Sequence, residues 1–100
     1  MGDRNQNKKW AKAAIIMQGG PAAEALAISS ELDYVMDAIK SADCGELGFW
    51  IMKMIDLYEI AKHYGHLARD VTPPVVPSKD CEKKREVFLW FGEELRASIR

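Results

Sequence analysis

Apolar residues fall at helical steps along most of this chain. Ala25, Ile28, Leu32, Val35, Ile39 and Ala42 alternate spacings of three and four, which predicts an amphipathic helix over residues 21–42. Met36 widens that seam. Ser30, Asp33, Asp37 and Lys40 occupy the opposite face, with Glu24 and Glu31 at its border. The stretch 46–69 carries two neighbouring seams. Leu47, Ile51, Met54, Tyr58 and Ala61 form one; Trp50, Leu57, Ile60, Tyr64 and Leu67 form the other. Apolar residues on most sides predict burial on most sides, so this helix is expected at the centre of the fold. Gly65 lies within it and weakens its last turn by roughly 1 kcal/mol relative to alanine.

Two further helices complete the expectation. An alanine-rich segment, residues 6–18, is predicted to end at Gly19-Gly20-Pro21, where glycine accepts a C-cap and proline suits the first turn of the next helix. A fourth helix is predicted from Ser78 or Asp80 toward Ser98, apolar at every position of 87–91, with Gly92 as a place to bend or interrupt it. Residues 71–77 (VTPPVVP) hold three prolines and predict an extended strap between the third and fourth helices. The predicted fold is all-α: one domain over residues 1–100, about four helices with the third innermost, and residues 1–5 loose.

Composition supports a folded domain, with 48% hydrophobic and 29% charged residues. A net charge of −1 argues against generic nucleic-acid binding. The layout is uneven: residues 1–12 set Arg4, Lys8, Lys9 and Lys12 against Asp3, while residues 24–46 set six carboxylates against Lys40. Cys44 and Cys81 are two widely separated cysteines, expected as reduced thiols of a cytoplasmic protein. No apolar run of the ~18 residues needed to cross a membrane exists.

Motifs for catalysis are weak. Asp56, Glu59, His63, His66 and Asp70 fall along one helix face, and Glu59, His63 and His66 make an alternative metal set, imidazole and carboxylate being usual zinc or iron ligands. The spacing matches neither the di-iron pattern nor the zincin pattern, and a polar stripe on a buried helix explains it as well. Cys44 lies beside Asp43 and Glu46, which disfavour a thiolate. Ser29-Ser30 has no glycine elbow, and Gly19-Gly20-Pro21 lacks the phosphate-loop pattern. No catalytic residue and no cofactor is assigned.

The acidic face carries the functional expectation. Glu24, Glu31, Asp33, Asp37, Asp43 and Glu46 make an elongated negative surface suited to a basic protein partner, with Trp90 as an apolar anchor or a dimer seam. A helix reading DNA with those carboxylates would repel phosphates, so direct nucleic-acid binding is not expected. On these residues the chain resembles small phage-encoded helical inhibitors of the anti-CRISPR type, a likeness of format without a shared motif. That resemblance implies a stoichiometric inhibitor blocking the DNA-binding surface of a bacterial defence complex. A helical metal or enzyme bundle and a structural homodimer are the alternatives.

Overall fold

The computed structural model describes the backbone of residues 4–75 and 79–100 and the side chains from residue 20 onward, residues 76–78 excepted. Three helices form: α1 (Arg4–Ser41), α2 (Cys44–His63) and α3 (Cys81–Ser98), each packing on the other two. The expected count of four is corrected at Gly20. This residue adopts φ 78° and ψ −173°, a conformation open to glycine, and Pro21 follows without an amide to pair. The chain therefore kinks and resumes the helix at once instead of inserting a loop. Of the loose segment expected at 1–5, residues 1–3 lie outside the described ones, while Arg4 and Asn5 are helical. The strap expected over 71–77 is not recovered as an element. Residues 71–75 have no regular structure, Val71 packs against the core, Val75 is exposed, and 76 and 77 lie outside the described residues.

Local chemistry explains the helix ends. Asp43 Oδ1 accepts from the Glu46 amide at 2.9 Å, and Asp80 Oδ1 accepts from the Lys83 amide at 3.2 Å, so both carboxylates cap. α2 ends at His63, short of the expected 69. Gly65 takes φ 75°, its amide reaches the Lys62 carbonyl, and the His66 amide reaches the Ala61 carbonyl at 2.9 Å. That pair of bonds is a Schellman motif, so Gly65 stops the helix where it was expected only to weaken it. The chain beyond is held by the C-terminus: Leu67 bridges Ile99, and the Arg100 amide donates to the His66 carbonyl at 3.0 Å.

The core follows the two best seams of the sequence. All six seam residues from Ala25 to Ala42, the last just past the end of α1, are buried, as are Leu47, Ile51, Met54, Tyr58 and Ala61 of α2. α3 supplies Phe88, Phe91 and Leu95, with the Phe91 ring edge-on to Tyr58 at 5.8 Å. Gly92 sets how closely the three helices meet. A Cβ there would stand 2.7 Å from Met54 Cε and 2.8 Å from Met36 Sδ. α3 runs unbroken through it, so this glycine serves close approach and not a bend.

The second α2 seam is not enclosed, which overturns the expectation of a central rod. Ile60 is 42% and Tyr64 60% exposed, with Phe49 at 56% and Met52 at 66%, while Trp50 and Leu57 are half-buried. The reason is geometric: α1 and α3 cover one side of α2, and no further helix is present among the described residues.

A disulfide joins Cys44 to Cys81, correcting the expectation of separate reduced thiols. The two sulfurs meet because α2 and α3 begin side by side. Bridging residues 37 apart restricts the unfolded chain and contributes about 4 kcal/mol by loop-closure entropy.

Gly92 yields a stability test. Gly92→Ala gains about 1 kcal/mol of helix propensity but must displace Met54 and also Met36 at its Cγ, 2.9 Å away. The two flexible methionines shift, so urea melts should place it within about 1 kcal/mol of the parent. Gly92→Leu should lose about 2–3 kcal/mol through overpacking.

Candidate interaction surface

Several of the exposed apolar residues join across two helices. Tyr34 lies on the outer side of α1, 63% exposed, and its ring meets Trp50 of α2 edge-on at 5.8 Å. Trp50 in turn meets Phe49 at 5.1 Å, and Lys53 Nζ stands 5.3 Å from the Phe49 ring centre. Such edge-to-face pairs suit the ring quadrupoles, and the lysine sits over an electron-rich face. Met52 and Ile60 extend the apolar surface along α2. Helical spacing puts Asp37 beside Tyr34, and Glu46 beside Phe49 and Trp50. The result is an aromatic row bordered by carboxylates, running from α1 onto α2.

The acidic residues predicted as one face are divided among different tasks. Glu24 is half-buried, and its Oε1 accepts from His66 Nε2 at 2.5 Å, tying α1 to the turn after α2. Both side chains are largely sheltered, at 18% and 8% exposure, so Glu24 is a structural tie and not a docking group. Asp33 pairs with Arg96 Nε at 3.0 Å, linking α1 to α3. Asp37 lies 3.8 Å from Lys40 on the exposed surface, an arrangement worth little. Asp43 is the α2 cap, and Glu31 is half-buried. Asp37 and Glu46 remain on the open surface next to the aromatic row. Trp90 is 60% exposed on α3, where helical spacing groups it with Glu86 and Glu93, not with the row.

The alternative metal set is not assembled. Glu59 and His63 are exposed on α2, the His63 ring lies edge-on to Tyr64 at 4.9 Å, and His66 has left the helix to meet Glu24. Among the described residues, the group of three ligand-type side chains that does converge is Cys44, Cys81 and Glu82, with their ligand atoms within 4.8 Å of one another. The two cysteines there are already bonded to each other, and Glu82 is held by Arg85 at 3.2 Å. Arg85 also donates to the Ile39 carbonyl, closing the C-terminal end of α1. No described helix is long and apolar enough to cross a membrane.

Sequence reasoning missed Tyr34 and the disulfide. A tyrosine on the polar side of an amphipathic helix was the available signal for the first. Nothing in the spacing of the cysteines announced the second.

The pairing of His66 predicts a contrast between two acidic residues of α1. Glu24→Ala leaves a buried imidazole without its partner and should cost about 1–3 kcal/mol in urea melts. Asp37→Ala, on the open surface, should stay within about 0.5 kcal/mol of the parent. No protein family, curated protein or solved structure matches this chain.

Proposed function

We propose that this chain is a non-catalytic interaction module that docks a basic protein surface through the Tyr34–Trp50–Phe49 row and the carboxylates of Asp37 and Glu46 beside it. The observation carrying the proposal is the ring contact between Tyr34 and Trp50. It fuses the acidic side of α1 and the uncovered side of α2 into one surface. Large aromatic side chains are the usual energetic centre of an interface, and charges around them select the partner and raise the association rate. A basic partner surface of this kind is commonly one built for nucleic acid, and occupying it stoichiometrically is how an inhibitor of the anti-CRISPR format would act.

This reading shifts the docking centre away from Glu24 and Asp33, whose carboxylates are paired with His66 and Arg96. It also separates Trp90 from the binding surface. The structural-homodimer alternative keeps Trp90 as its seam and rests on that residue's exposure.

The comparison of three chains tests the choice. For a partner captured by the parent chain, Phe49→Glu should weaken binding by at least about 30-fold, as expected for an aromatic anchor worth about 2 kcal/mol, with the melting curve unchanged. Trp90→Asp should bind like the parent, and added salt should weaken the parent complex. Binding indifferent to Phe49→Glu, or self-association abolished by Trp90→Asp, would contradict the proposal.

A further inference from the structure

The disulfide stands apart from the docking surface and has its own chemistry. Cys44 and Cys81 are the first residues of α2 and α3, so each sulfur sits where unpaired helix amides and the positive end of the helix dipole gather. Cys44 is exposed and Cys81 is half-buried. Arg85 Nη2 approaches Cys81 Sγ at 4.0 Å. A cleft of about 450 Å³ opens beside the bond, lined by both cysteines, Lys79 and Lys84, over an apolar floor of Leu47, Ile51 and Phe88. Of the nearby carboxylates, Asp43 and Asp80 accept from backbone amides and Glu82 pairs with Arg85, while Glu46 in the first turn of α2 is exposed. Ammonium groups in a cleft next to an accessible disulfide fit a reactant that brings both a thiol and carboxylates.

We infer that Cys44–Cys81 is a thiol–disulfide exchange site for a small anionic thiol of the glutathione class, attacked at Cys44. The incoming thiolate forms a bond to Cys44 Sγ as the bond between the two cysteines breaks. The electron pair passes to Cys81 Sγ, which leaves as a thiolate steadied by the α3 amides and the Arg85 guanidinium. A second thiolate attacks the mixed disulfide at the external sulfur and releases Cys44 as a thiolate. Two thiols are thereby oxidised to one disulfide, and the protein pair takes up their two electrons. Before that second attack the Cys81 thiolate is placed to return to Cys44 and expel the small thiol, so the first step is reversible. Lys79 and Lys84 hold the carboxylates of the incoming molecule.

The experiment treats the full chain with glutathione or with neutral 2-mercaptoethanol at equal thiolate concentration. Reactions are quenched with acid and the adducts mapped by mass spectrometry, for the folded chain and for the chain unfolded in urea. The adduct should lie on Cys44, and the folded chain should react about tenfold faster than the unfolded one, as a stabilised leaving thiolate requires. The folded chain should prefer glutathione, and Lys79→Gln with Lys84→Gln should abolish that preference. A disulfide that reacts only after unfolding is a buried staple, and overturns the inference. An adduct on Cys81 overturns the direction of attack, and a preference unchanged by the lysine substitutions overturns the assignment of an anionic thiol.

Discussion

α2 bears more apolar surface than its two neighbours can cover, and most of what is distinctive here follows from that mismatch. Its buried seam meets α1 and α3 closely because Gly92 removes a side chain at the crossing, letting Met54 and Met36 fill the space. Burying that seam provides the main driving force, at roughly 25 cal/mol per Å² of apolar area. Phe49, Met52, Ile60 and Tyr64 gain nothing from it and face water. Joined apolar patches on a protein surface generally mark contact sites.

Charge is spent differently on the two sides of the molecule. Around the helix junctions, carboxylates are consumed as ties and caps: Glu24 on His66, Asp33 on Arg96, Asp43 and Asp80 on helix amides. The first two bonds join separate elements, the caps begin their own helices, and Arg85 closes the end of α1 from α3. At the aromatic row, Asp37 and Glu46 instead lie on the open surface. The division explains why a count of carboxylates along α1 overstates the surface available to a partner.

The all-α class and both buried seams were legible because a helical period in apolar residues reports the side that will be covered. The Ala25 to Ala42 series and the Leu47 to Ala61 series are buried throughout. What the period cannot report is how many helices are available to cover a second seam, and Ile60 and Tyr64 were misjudged for that reason. Glycine was harder to read, since its role depends on dihedral angle and neighbours. Gly20 breaks the helix as expected, but at a kink with no loop between the two segments, Gly65 stops a helix instead of weakening it, and Gly92 permits close packing instead of a bend. Pairings between distant segments, His66 with Glu24 and Cys44 with Cys81, exist only once the helices are placed.

Met52 and Met54 lie two residues apart on α2 and on its opposite sides, 66% and 0% exposed. Oxidation of the native chain by dilute hydrogen peroxide, followed by peptide mass spectrometry, therefore reads both faces at once. The account predicts rapid sulfoxide formation at Met52, with Met54 protected until the protein unfolds. Equal protection of the two would mean that α2 is enclosed on both sides and that no open surface exists for a partner.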